Sequence, residues 1–163
     1  MPFVPRNAGA GSTRQEVSGV LGRAIEQCRQ GNWDQGLPYL GLLADSADRS
    51  SLPGLFYSYL GYGIALREQR LEEGLKLCRH AIKIEFYHPE NYLNLARTCL
   101  LGKDRRGAAK AVREGLKIDP NSEELLALQK DMGMRRLPVL SFLSRNHPFN
   151  RFLGSVRHKL TGG

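Results

Sequence analysis

At 163 residues, with 41% apolar residues and few aromatics, the chain can bury one helical core and carry tails, and it is too short for two independent domains. Its formal charge of +8 is unevenly placed: residues 132–163 hold six Lys or Arg and no acid, which leaves 18 basic residues against 16 acids in residues 1–131. Three widely spaced cysteines, Cys28, Cys78 and Cys99, argue against a secreted disulfide framework, and no run approaches the roughly 18 apolar residues of a membrane span.

Residues 1–14 combine Pro, Gly, Ala and Ser without periodicity and read as a flexible lead-in. This stretch lacks an apolar h-region, so a cytoplasmic location is expected. From Val17 the apolar residues Val17, Val20, Leu21, Ala24, Ile25 and Cys28 form one helical stripe, which Gly31 and Asn32 stop. A second amphipathic stretch, 34–47, carries Leu37, Leu40 and Leu43 and pairs with the first through a short loop. The turn-rich residues 48–54 follow. Helices are then predicted over 54–68, 71–85 and 89–101, the last opened by Pro89, whose fixed φ suits a first helical turn. A sixth helix carries Ala108, Ala111, Val112 and Gly115 and ends at Asp119 and Pro120. Asn121 then reads as an N-cap with Glu124 completing a capping box, opening a seventh helix over 122–132.

Within this series the chain repeats itself. Tyr57, Leu60 and Gly61 recur as Tyr92, Leu95 and Ala96 at a step of 35, and Gly74, Cys78 and Ala81 recur as Ala108, Val112 and Gly115 at a step of 34. Trp33, Gly36, Leu40 and Leu43 reappear as Leu71, Gly74, Cys78 and Ala81 at a step of 38, so the first copy is about four residues longer. A period of this length signals stacked helical units that bury their apolar faces against neighbours. Small residues let helix backbones approach, and Trp33, Tyr57 and Tyr92 fill the space between pairs.

These residues resemble the tetratricopeptide repeat (TPR), a helix pair reading roughly W-x-x-L-G-x-x-Y, then A-x-x-x-F-x-x-A-x-x-x-x-P. The third unit matches best, from Tyr92 to the closing segment 115–121. In the second unit Phe86 replaces the proline, and the first unit lacks the aromatic of its first helix. The resemblance implies an all-α fold: a right-handed superhelical solenoid of antiparallel helix pairs, a TPR-like α-α superhelix. Three pairs and a capping helix would occupy 15–133, followed by a basic amphipathic extension over 134–163. It also implies a non-catalytic protein–protein interaction module, an adaptor or assembly factor that binds a protein or peptide segment in a concave groove lined by the first helix of each pair.

On that basis the groove candidates are Ser58, Tyr59, Tyr62 and Leu66 from the second unit and Leu93, Asn94, Arg97 and Leu101 from the third. Tyr59 and Tyr62 are of the rigid amphipathic type enriched at binding hot spots, and Arg97 with Asn94 suits a carboxylate or backbone contact. The alternative is that the tyrosines pack between helices and Arg97 is solvated. The lysine-and-asparagine clamp for a C-terminal carboxylate found in some relatives is not matched, since the second unit offers Ser58 and Tyr59 there and the first offers Leu21 and Gly22.

In the extension, Phe149, Phe152, Leu153, Val156 and Leu160 form a stripe, with Arg151, Arg157, His158 and Lys159 largely off it. Three readings stand: docking on the chain's own repeats, lying on an anionic membrane surface as a peripheral tether, or contacting an acidic protein or nucleic acid. Nucleic acid is the weakest, because the charge comes without stacking aromatics. No oligomeric state has a signature. His80, His88, His147 and His158 are scattered, no metal-ligand spacing occurs, and no P-loop, dinucleotide fingerprint or nucleophile elbow is present. No cofactor, metal or catalytic residue is therefore expected.

Overall fold

The computed structural model describes residues 10–46 and 52–133. Seven α-helices, and no strand, occur among the described residues: α1 (Ala10–Arg29), α2 (Trp33–Ser46), α3 (Gly54–Arg67), α4 (Leu71–Ile84), α5 (Pro89–Leu101), α6 (Arg105–Ile118) and α7 (Glu123–Asp131). The chain divides into two compact units, Met1–Leu128 and Gln129–Gly163. The first holds three packed pairs of adjacent helices, α1 with α2, α3 with α4 and α5 with α6, an arrangement compatible with a helical repeat.

The pairs close because small residues meet at their crossings. A Cβ added to Gly61 would lie 2.7 Å from the Gly74 carbonyl oxygen and 2.9 Å from Leu77 Cβ, and one added to Gly74 would collide with the Gly61 carbonyl. In the first pair, a Cβ on Gly36 would stand 2.7 Å from the Ala24 carbonyl oxygen. Gly54, at the start of α3, lies against Ala81 and Glu85 at the end of α4, so these two helices run antiparallel.

Burial follows the apolar stripes. Leu21, Ala24, Ile25 and Cys28 from α1 join Trp33, Leu40 and Leu43 from α2 and Phe56, Tyr57 and Tyr59 from α3 in one cluster. Beyond the first turn of α5, Ala96, Cys99, Ala108, Val112 and Leu125 are buried, with Leu125 of α7 lying over Gly115. The two sharply amphipathic helices, α4 and α6, bury only their small and aliphatic stripe and turn their Lys and Arg residues outward. By contrast α3, which buries nine of its fourteen residues, is covered on nearly every side.

The turns inside the pairs repeat more faithfully than the side chains. Gly31 (φ 84°), Gln69 (φ 59°) and Lys103 (φ 58°) each take the left-handed conformation after the first helix of their pair, spaced by the same steps of 38 and 34 as the sequence copies. Two residues on, the N–H of Trp33, Leu71 and Arg105 returns to the carbonyls of Gly31, Gln69 and Lys103 at 2.9, 3.0 and 3.1 Å. The first and third turns are Schellman closures, in which Asn32 N–H reaches Gln27 O at 2.9 Å and Asp104 N–H reaches Cys99 O at 2.9 Å. Asp104 then caps α6, its carboxylate accepting the Gly107 N–H at 2.8 Å.

Two sequence expectations need correction. Helix α1 begins at Ala10, inside the stretch expected to be a lead-in as far as residue 14. Only the first helical turn is costly to form, so a helix anchored from Val17 onward extends backwards at little expense. The capping box of Asn121 and Glu124 is not formed. Asp119 Oδ1 instead takes the Asn121 N–H at 2.9 Å in an Asx turn, and α7 starts at Glu123 with Ser122 in the preceding position.

The glycines separate cleanly by environment. Gly74→Ala is expected to lower the unfolding free energy by about 1–3 kcal/mol, because the methyl group meets backbone that cannot turn aside. Gly22→Ala, in α1 with nothing within 4 Å of the added carbon, is expected to raise it by about 0.4–1 kcal/mol. Urea unfolding followed by circular dichroism measures both, and equal effects would sink the close-packing account.

Candidate binding surface on the odd-numbered helices

Helices α3 and α5 lie side by side in parallel register. Asn94 Nδ2 donates to Ser58 Oγ at 3.2 Å, and one turn further the Arg97 guanidinium stands over the Tyr62 ring at 5.9 Å. The next residues in that register are Leu66 and Leu101, on the same side of their helices.

The eight groove candidates divide into two sets. Ser58, Tyr59, Leu93 and Asn94 are buried, with Ser58 and Asn94 fully enclosed, so they are not surface available to a partner. Ser58 Oγ donates to Leu55 O at 3.2 Å, Thr98 Oγ1 to Asn94 O at 2.8 Å, and Cys78 Sγ lies 3.5 Å from both Ser58 O and Thr98 Oγ1. The result is a polar seam joining α3, α4 and α5. Positions outside the pair-packing signature are not thereby free, because the first helices of neighbouring pairs also pack on each other and use up a second face. Tyr62, Leu66 and Arg97 are half-buried and Leu101 is 42% exposed, so these four remain accessible.

Tyr59 is held in a contact that sequence reasoning missed. Arg29, at the end of α1, grips the Glu90 carboxylate of α5 with both arms, Nε to Oε1 at 2.7 Å and Nη2 to Oε2 at 2.8 Å. The Tyr59 hydroxyl donates to the same Oε1, while the Tyr59 ring lies 6.0 Å from the Arg29 guanidinium and 6.2 Å from Trp33. One carboxylate thereby ties together the first helices of all three pairs. Burial alone would raise the Glu90 carboxyl, but the hydrogen bonds from Arg29 and Tyr59 and the Arg29 charge outweigh it and hold it below the usual carboxylate range. The Tyr59 phenol is pushed up by burial and then by the bond to Glu90. Sixty-one positions separate Arg29 from Glu90. Nothing local in the sequence announces the pair; the acid in the first turn after Pro89 is the sole hint.

Burial raises the Cys28 thiol to about 11 and the Cys78 thiol to about 12, so both are protonated at neutral pH. His80, on α4, is exposed and rests its ring edge-on against Tyr57 at 4.7 Å. Among the described residues no group of three or more His, Cys, Asp or Glu is placed to hold a metal ion, and no helix is long and apolar enough to cross a membrane. The tail residues Phe149, Arg151, Phe152, Arg157 and Lys159 lie outside the described residues, as does every reading of the extension. No protein-family model matches the chain, and no curated protein matches it.

The Glu90 contact has a pH signature. A carboxyl depressed in the folded state adds stability above its unfolded value, about 4.3, and that stability is lost as pH falls through the lower folded value. Glu90→Gln is therefore expected to cost about 1–3 kcal/mol at pH 7, toward the lower end because the Arg29 side chain is 43% exposed. The gap between variant and parent should narrow at acidic pH below about 4. Urea unfolding across that range tests it; a gap that stays constant with pH contradicts the role given to the charge.

Proposed function

We propose that this chain is a tetratricopeptide-repeat solenoid of right-handed hand, acting as a non-catalytic protein–protein interaction module that holds a peptide or protein segment on the face of its first helices. What supports the repeat assignment is the match between sequence step and turn geometry at Gly31, Gln69 and Lys103, together with the glycine crossings at the positions of the repeat signature. The observation that carries the binding reading is the accessible row formed by Tyr62 with Arg97 and, one turn on, Leu66 with Leu101.

The chemistry of that row selects a partner type. Tyr62 is braced edge-on by Trp33 at 5.1 Å and faced by Arg97, so an incoming side chain meets an ordered ring and a guanidinium with donors to spare. Leu66 and Leu101 add apolar surface at the end of the row. A segment with one aromatic or aliphatic anchor and an acceptor one turn away fits best. The buried, protonated thiols suit a reducing compartment such as the cytoplasm.

Selection of a random peptide library on the full chain is expected to enrich such sequences. Arg97→Glu combined with Leu101→Ser should weaken the selected peptides by at least about tenfold while leaving the thermal midpoint close to that of the parent. Isothermal titration and a melting curve give both readings. Failure to enrich any peptide, or binding indifferent to the two substitutions, would remove the groove.

A further inference from the structure

A second concavity, about 590 Å³, lies on another face of α3, bounded by α2 and α4. It uses Phe56, Leu60 and Ile64, whereas the candidate groove uses Tyr62 and Leu66 of the same helix. Both α2 and α4 pack on α3 yet scarcely on each other, which leaves a slot between them. Its walls carry the half-buried side chains of Leu37, Leu60 and Leu77.

The rim is acidic although the chain as a whole is basic. Among the described residues, Asp34, Asp45, Glu68 and Glu73 face the slot with only Arg67 and Arg70 against them. Both guanidiniums are already engaged: Arg67 with Asp34, and Arg70 with Glu68 at 2.7 Å and Glu73 at 2.5 Å. Three acids share two cations at one end, and Asp45 has no ion-pair partner among the described residues at the other. The described residues of the slot thus leave about two negative charges beside apolar walls, a balance that repels acidic segments and attracts basic ones.

We propose that this slot is a second docking site, which takes a basic amphipathic helix of a partner protein. Its apolar side would pack on Leu37, Leu60 and Leu77, and Lys or Arg residues beside that stripe would face Asp45 and Glu73. The slot runs along α3 from Phe56 to Arg67, about 16 Å at 1.5 Å per residue, room for three helical turns and anchors at i, i+3 or i+4, and i+7. The site is independent of the groove on the odd-numbered helices. One chain could therefore hold two segments at once.

Gly41 supplies a clean block. It lines the slot, sits within α2, and has nothing within 4 Å of an added Cβ, so Gly41→Leu fills the space without disturbing the packing beneath. The probe is a fluorescein-labelled synthetic helix of Leu, Ala and Lys, compared with a twin in which Glu replaces Lys, titrated against the full chain by anisotropy. The Lys helix should bind at least about tenfold tighter than its twin, lose at least about tenfold in Gly41→Leu, and weaken in Asp45→Lys and with added salt. Arg97→Glu should leave it unchanged, which separates this site from the groove. Equal binding of the two helices, indifference to Gly41→Leu with an unchanged melting temperature, or loss of binding in Arg97→Glu would each overturn the proposal. So would a concentration-dependent dimer that Gly41→Leu dissolves while the probe fails to bind, since that outcome assigns the slot to a second copy of the chain.

Discussion

Where Gly61 of α3 crosses Gly74 of α4, each backbone carbonyl occupies the space in which the other residue's side chain would begin. That approach sets the depth to which the pair closes, and the rest of the first unit is arranged around it. With no side chain between the two axes, Cys78 and Ala81 are drawn wholly into the interior, and α3 presents its remaining faces to other elements. Gly36 repeats the arrangement against α1, and Ala108 stands at the corresponding place in α6. A larger residue at any of these points would move a helix as a rigid body, because close-packed interiors absorb added volume poorly.

Because α3 is covered on nearly every side, its side chains divide labour by direction. Phe56 and Tyr57 serve the core, Ser58 joins the polar seam toward α5, and Tyr59 reaches Glu90, while Tyr62 and Leu66 come partway to the surface. The Ser58–Asn94 bond of the seam and the Arg29–Glu90–Tyr59 contact both act toward the N-terminal end of α3 and α5, the second through the last residue of α1. Both are polar and directional, so they specify one register where apolar contacts alone would tolerate several. Held at that end, α3 and α5 leave the Tyr62–Arg97 row open at the other.

Element positions were legible to within one or two residues wherever a helix had a strong stop or start. Gly31, Pro89 and the Asp119–Pro120 pair marked boundaries that the structure keeps, because each acts through local backbone geometry. The start of α1 was misjudged because composition measures propensity and not the small cost of lengthening a helix that already exists. The capping box before α7 is not formed because Asp119 takes the Asn121 N–H that the Glu124 side chain was expected to accept. Half of the surface candidates were also misplaced. Ser58, Tyr59, Leu93 and Asn94 carry binding-type side chains, but whether such a residue faces a partner or a neighbouring helix depends on how adjacent pairs nest.

The sequence by itself determined the helical class, the order of the helices and most of their boundaries, the pairing of neighbours and the step at which the pattern recurs. Those properties follow from periodicity and from single residues with restricted backbones, which act over a few positions. Only the tertiary structure decided that Arg29 meets Glu90 across sixty-one positions, that four candidate residues are interior, and that an acidic slot separates α2 from α4. Each depends on distances between helices, and those are set by the volume of every side chain at a crossing together, a quantity that no local pattern of residues contains.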